Sequence, residues 1–440
     1  MAEKRKILFL SDHPLVPSGV GTQAKYLIEG LLKTGKYRFI CLGGAIKHPD
    51  MRPQKVAPET FGDDWIIFPV EGHGDKNIVR QMIMAERPDA IFIFTDPRFF
   101  MWLWEIEDEV RSQCPIVYWH VWDNDPTPKF NKVLYESTDH IVALSMKTKG
   151  LLDDMNYERC SYIPHSVSMD NFKPLDEDEV QKFKREHFGP HVDKKFVLFW
   201  NNRNARRKQT GDVIAAFAKF AEKVGKQNVA LFMHTAVHDP EGQDINAVAE
   251  CFGVESNLII SEARIEPSRL NMLLNVCDAT INIASNEGFG LGTLESLSSG
   301  TPIIVHFTGG LQYQIGDWWN DLKDFRNQDQ LTAHAKKLYR SGKGRWWGVP
   351  VFSASRSCTG SQPIPYIYDD KVNHDEVVAG LVKLYEMGRQ KRKALGLEAR
   401  QWVAQHFGEK QMIEDWDRVL EQQIDIYKGR GPQTVRLANI

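Results

Sequence analysis

Short apolar runs alternate with helix-length amphipathic stretches along most of the chain, the pattern of repeated βαβ units under a parallel sheet. In the first half the apolar runs predict strands over residues 7–10, 39–42, 65–68, 90–94, 116–119 and 140–144. Amphipathic stretches between them predict helices over 22–32, 77–86, 102–110 and 146–155. Residues 163–192 then turn to Pro, Asp, Lys and His, the texture of a linker. A second series follows, with strands over 196–200, 229–234, 258–260, 279–284 and 303–306 and helices over 211–224, 245–252 and 267–276. Three further helices are expected at 375–387, 389–406 and 410–427, and residues 429–440 read as a frayed tail. The expected fold class is α/β, with two doubly wound domains and a cleft between them. Ligands in such sheets sit at the C-terminal ends of the strands.

Bulk properties narrow the class without changing it. A chain of 440 residues exceeds the usual size of one core, so two domains are the default. No apolar run approaches the roughly 20 residues that span a bilayer. The N-terminus leads straight into a strand, without the apolar region and cleavage site of a signal peptide. Cys41, Cys114, Cys160, Cys251, Cys277 and Cys358 show no C-x-x-C spacing, which points away from structural zinc and from a disulfide framework. A reducing, cytoplasmic setting is expected. The net charge of −3 gives no global attraction to nucleic acid.

The most informative stretch is residues 285–305. A strand runs into a loop with Gly288, Gly290 and Gly292, and a helix-compatible run begins at Thr293. Glycines between a strand and a helix N-terminus let backbone N–H groups approach a phosphate, where the helix dipole also favours negative charge. Glu287 and Glu295 flank the loop. On one continuous helix they would stand about 12 Å apart and turned by about 80°. Carboxyls that share a bond as acid and base lie within about 5–10 Å. The pair is therefore better suited to holding two ends of a long ligand, such as a nucleotide sugar; the plain alternative is a helix start with ordinary acidic residues.

Three further segments end strands. Arg203, Arg206, Arg207 and Lys208 follow the strand over 196–200, where they can neutralise a diphosphate; alone, such a run is more often a solvated turn. Gly19 and Gly21 follow the first strand. They lack the third glycine of the dinucleotide fingerprint, and no acid ends the second strand near Leu42, so a nicotinamide site is rejected. His120 ends the strand over 116–119. Asp123 and Asp125 behind it resemble a metal-binding D-x-D, which the surrounding architecture does not support, so no metal is expected.

Together these positions resemble glycosyltransferase family four, retaining nucleotide-sugar transferases of the GT-B fold. Glu287-Gly-Phe-Gly-Leu-Gly-Thr-Leu-Glu295 matches that family's E-x7-E signature, continued by Gly300-Thr-Pro302. Arg203 and Lys208 match its Arg and Lys five residues apart, Gly19 and Gly21 its N-terminal glycine loop, and His120 its donor-sugar histidine. The segment 164–174 is similar to its interdomain hinge. The resemblance runs from about residue 6 to 310 and resumes in the last helices.

It implies two Rossmann-like domains facing a central cleft: an acceptor-side domain at 1–172 and a donor domain at 173–408. A C-terminal helix within 409–440 would return to the first. It also implies roles. Glu287, with Gly288, Phe289 and Gly290, would contact the transferred sugar, and Glu295 would hold the ribose. Arg203 and Lys208, helped by Gly21 and the helix start at Leu291, Gly292 and Thr293, would stabilise the leaving diphosphate. His120 would orient the sugar, and the base would meet backbone near Ile265. No cofactor would be required beyond the nucleotide-diphosphate sugar, and the chain would be a hexosyl- or pentosyltransferase.

The chain departs from the family in length between Gly310 and Asp375, where an insert is expected at about 318–370. Lys336, Lys337, Arg340, Lys343 and Arg345 with Trp346 and Trp347 could bind phosphates and stack on bases; a solvated helix packed by its tryptophans is the plainer reading. The acceptor is accordingly a saccharide or, alternatively, a hydroxymethylated pyrimidine in viral DNA. From another class, the chain could be a non-catalytic nucleotide-sugar binding protein. A phosphorylase-like enzyme ranks last, because no lysine context for pyridoxal is evident.

Overall fold

The computed structural model describes residues 3–188, 192 and 194–430. The expected tail over 429–440 therefore falls almost wholly outside the described residues. Two compact units emerge: Met1–Trp122, Thr127–Ser166 and Glu409–Ile440 form the first, and Asp123–Pro126 with Val167–Gly408 the second.

The first unit holds eight strands: β1 (Arg5–Asp12), β2 (Tyr37–Gly44), β3 (Gln54–Lys55), β4 (Trp65–Pro69), β5 (Ala90–Thr95), β6 (Ile116–His120), β7 (His140–Ala143) and β8 (Cys160–Tyr162). Their order is β3-β4-β2-β1-β5-β6-β7-β8, parallel throughout except for β3 against β4. β5 and β6 are buried at every residue, as strands covered on both faces must be. Helix Gly19–Lys33 buries Ala24, Leu27, Ile28 and Leu31, the i, i+3, i+4, i+7 stripe of a core-facing helix. Helix Glu409–Gly429 lies against it, with Ile413 on Gly30 and Tyr37 Oη donating to Asp417 Oδ1 at 2.7 Å. Its Trp416 packs into the core, tilted against Phe92 and edge-on to Trp119.

The second unit is built on β9 (Phe196–Asn201), β10 (Val229–His234), β11 (Leu258–Ser261), β12 (Ala279–Asn282), β13 (Ile303–His306) and β14 (Gly348–Val351). The sheet is fully parallel in the order β11-β10-β9-β12-β13-β14. Two strands stand apart as an antiparallel ribbon, β15 (Ser353–Thr359) and β16 (Ile367–Val372). In both sheets the chain starts at a central strand, works to one side, then returns to the other. The reversals fall between β1 and β5 and between β9 and β12, and these are the points where doubly wound sheets bind ligands.

Three expectations change. The linker over 163–192 contains helix Glu177–Phe188; only Val180, Phe183 and Lys184 of it are buried, an apolar face too narrow to register against its charge. The single helix expected over 102–110 breaks into Met101–Trp104 and Glu107–Arg111, with Leu103, Trp104 and Ile106 buried around the break. The third is the insert. Helix Gln328–Arg340 and β14 complete the second sheet as one more helix-and-strand repeat, so only the β15–β16 ribbon is additional. Trp318, Trp319 and Trp347 are buried, and the indoles of the first two donate to Gln312 O and Tyr313 O. Trp346 donates to Lys343 O and packs edge-on against Tyr339. The tryptophans offered for stacking on bases are core and turn residues.

Candidate active site

At the reversal between β9 and β12, two loops from different strands meet. After β9 the chain makes one turn, Arg206–Lys208, and passes through Gln209 into helix Thr210–Val224. After β12 it forms the loop over 283–290 and enters helix Leu291–Ser298. Gly290 precedes that helix at φ +93, a left-handed conformation, and a Cβ there would lie 2.5 Å from Leu311 Cδ2. The following turn, Gly309-Gly310, packs so closely that a Cβ on Gly309 would lie 2.2 Å from Glu287 O.

Glu287 lies at the centre, 6 % exposed. Its Oε1 accepts from Lys208 Nζ and, at 3.2 Å, from Asn282 Nδ2, while its Oε2 faces Arg207 Nη1 at 3.3 Å. Arg207 Nη1 also donates to Asn286 O at 2.9 Å. Burial alone would raise the Glu287 carboxyl, but the charges of Lys208 and Arg207 and the bonds from Lys208 and Asn282 outweigh it and hold the pKa at about 2. A buried carboxylate between two cations is thus ionised across the working range. Asp123 contributes a further negative charge felt by Arg207 and Lys208.

Glu295 is different. It sits half-buried within helix Leu291–Ser298, and its carboxyl has no hydrogen-bond partner among the described residues. Desolvation pushes its pKa up to about 8. At neutral pH it is mostly protonated and can donate a hydrogen bond to a hydroxyl.

The remaining expected residues divide. Gly288 and Phe289 lie in the loop, with the Phe289 ring 5.6 Å from Phe407, and Leu291, Gly292 and Thr293 form the helix's first turn. Thr293 Oγ1 donates to Gln314 Oε1 at 2.7 Å, and the first-turn amides are the groups a helix N-terminus can offer an anion. Ile265 lies in the loop after β11, half-buried. Arg203 is not on Glu287: its Nε donates to Asp239 Oδ2 at 2.6 Å and its side chain is 60 % exposed. Arg207 occupies the place beside Glu287. It is visible in the basic run, but nothing in the spacing singles it out. Asn282, Asn286 and Gln209, neutral residues beside the charged ones, carry no sequence signal.

In the first unit Ser18 caps helix Gly19–Lys33, its Oγ accepting from Gly21 N at 3.0 Å. His120 ends β6, fully buried; its Nε2 meets Tyr135 Oη at 2.6 Å and its Nδ1 has no partner among the described residues. Burial lowers its pKa to about 3, so the ring is neutral. Among the described residues no group of three or more His, Cys, Asp or Glu side chains is arranged to hold a metal, and no helix is long and apolar enough to cross a membrane.

Residues 180–345 match the family Glycosyl transferases group 1. The trehalose synthase of Pyrococcus horikoshii is 31 % identical over 135 residues, 29 % of this chain and 31 % of that protein. The alpha-monoglucosyldiacylglycerol synthase of Streptococcus pneumoniae is 26 % identical over 181 residues, 41 % and 40 % of the two chains. The chain thus spans about a third to two fifths of the length of these curated relatives. Among solved structures, sucrose-phosphate synthase from Thermosynechococcus elongatus superposes with a TM-score of 0.71 at 12 % identity, covering 96 % of this chain and all (100 %) of that one. Anabaena HepE in complex with UDP and glucose gives 0.67 at 14 % identity, covering 95 % and 100 %. Residues 180–345 are thus similar to group 1 glycosyl transferases, and the chain has the two-sheet GT-B fold of the superposed structures.

Proposed function

We propose that the protein transfers a sugar from a nucleotide-diphosphate sugar to a hydroxyl acceptor, with retention of anomeric configuration and without a metal. The observation that carries this reading is the buried Lys208–Glu287 pair, flanked by the half-exposed Arg207, between the loops after β9 and β12 and beside a helix N-terminus. A fixed carboxylate suits sugar hydroxyls, and cations with first-turn amides suit a diphosphate. Lys208 and Arg203 would neutralise the charge that develops on the leaving diphosphate, so that bond breaking is assisted by groups already in place. Arg203 would exchange Asp239 for the phosphate. Glu295, as a neutral acid, would donate to a ribose hydroxyl, and His120 is the proposed contact to the transferred sugar. In same-face attack the acceptor hydroxyl loses its proton to the departing phosphate, which needs no separate protein nucleophile.

HepE, the structural relative above, is described as binding UDP and glucose, which makes a uridine donor the first to try here. A saccharide hydroxyl is the proposed acceptor. The test is a thermal-shift screen with free UDP, GDP and ADP, followed by sugar transfer from the matching donor and assignment of the product anomer by NMR. A bound diphosphate raises the midpoint by linkage. Inversion at the anomeric carbon, or activity that disappears with a chelator and returns with a divalent cation, would defeat the reading. Binding without turnover on any acceptor or water would favour the non-catalytic alternative.

A further inference from the structure

The β15–β16 ribbon lies beyond the matched family segment, and the proposed function gives it no task. β16 pairs with β15 on one side only. An unpaired strand edge presents N–H and C=O groups at alternate residues, which must find partners when buried. Here those partners are specific. Tyr368 O accepts from Asn286 Nδ2 at 2.8 Å, and Asp370 O accepts from Gln209 Nε2 at 3.0 Å. Tyr368 N donates to Asp125 O at 2.6 Å.

Asn286 immediately precedes Glu287, and Gln209 immediately follows Lys208. Both are buried, at 5 % and 3 % exposure. The two residues come from loops on different strands, yet each is bonded to a carbonyl of the same short edge. Gln209 is also held at φ +54, a left-handed conformation unfavourable to a residue with a side chain. Asn286 is fixed a second time, its Oδ1 accepting from Thr308 Oγ1 at 3.1 Å.

We infer that Gln209 and Asn286 are positioning residues: through the edge of β16 they hold the Lys208 loop and the Glu287 loop in register with each other. The inference rests on the proposed donor site. Amides suit the task because each must donate to a carbonyl. A carboxylate in either place would point oxygen at oxygen and add negative charge next to the ion pair.

The experiment uses the full chain with Gln209→Ala, Asn286→Ala, the near-isosteric Gln209→Glu, and a double-mutant cycle with Lys208→Ala. The expected result is a kcat lowered about 10–100-fold by Gln209→Ala, as for a small misplacement of reacting groups. Gln209→Glu does not restore it, and the unfolding midpoint moves little. In the Lys208→Ala background the same change has almost no further effect. Fully additive losses, or a Gln209→Ala variant within twofold of wild type, would overturn the inference. Hydrogen exchange supplies a readout that does not need turnover. Gln209→Ala is expected to speed exchange across residues 283–290 on the other strand's loop as well as 202–209. Faster exchange confined to 202–209 would refute the coupling. A wild-type chain inactive with every donor would instead count against the proposed function, while the exchange result still decides this one.

Discussion

The two sheets share one winding pattern and differ in what stands at their strand ends. At the reversal of the second sheet, the buried Lys208–Glu287 pair and the half-exposed Arg207 beside it form a cluster of paired charges. In the first unit the strand ends carry buried histidine rings as well as the acidic residues Asp12 and Asp96. His120 at the end of β6 has its pKa lowered to about 3 by burial, and His13 after β1 is lowered by burial and by His48. The same topology thus carries a carboxylate held by two cations at one reversal and buried neutral rings at strand ends of the other unit. Function resides in the loop residues, and the winding only says where to look.

The sharpest way to break this contrast is to remove one member of the ion pair. Glu287→Ala or Lys208→Ala is expected to lower transfer by about 10²–10³-fold, the effect of losing one preorganised charge. Each also strands its buried partner, which costs about 3–5 kcal/mol. The double variant should unfold at a higher temperature than either single one, as differential scanning calorimetry can check.

The neutral side makes a smaller prediction. His120→Ala should reduce kcat roughly 10-fold or more, within the range for a positioned polar group. Because its folded pKa lies below the unfolded value of 6.5, the folded state binds fewer protons between about 3 and 6.5. Its burial therefore costs stability as pH falls through that window and has no effect above it. A pH–rate limb near 6.5 that vanishes in His120→Ala would contradict a neutral ring.

Arg203 tests where the charged side ends. Its salt bridge with Asp239 is exposed and weak. Arg203→Ala should raise the donor KM several-fold, whereas Asp239→Asn, by freeing Arg203, should lower it slightly. Steady-state kinetics with both variants decide whether Arg203 reaches the donor at all.

The smallest expected effect concerns Glu295. Its carboxyl, raised to about 8, keeps its proton in the folded state while the unfolded chain has lost it, so stability falls as pH rises from about 4.5 to 8. Glu295→Gln should flatten that decline and raise the midpoint at pH 8 by about 2–5 °C. If Gln raises the midpoint equally at pH 4 and pH 8, the carboxyl is not held neutral.

Much of the fold is legible in the sequence because parallel strands buried on both faces appear as unbroken apolar runs, as at residues 90–94 and 303–305. Signals fail where apolar content is thin, as in helix Glu177–Phe188, or where two residues make a strand, as in β3. The extent of the insert misleads because its cations and tryptophans stand together in sequence; in space most of the rings turn inward and the charges outward. At the site, Lys208 and Glu287 can be named from spacing. Arg207 cannot be preferred over Arg203, since the choice depends on a turn, Arg206–Lys208, that faces one toward Glu287 and the other toward Asp239. Asn286 and Gln209 are invisible to spacing because their partners are backbone carbonyls on β16.

The central claim is that the reversal in the second sheet holds the donor's diphosphate. Calorimetric titration of wild type, Lys208→Ala and His120→Ala with the nucleoside diphosphate that stabilises the protein tests it most directly. The account predicts that Lys208→Ala loses at least about 10-fold in affinity, some 1.4 kcal/mol, while His120→Ala binds like wild type. Unchanged binding by Lys208→Ala, or loss confined to His120→Ala, would contradict it.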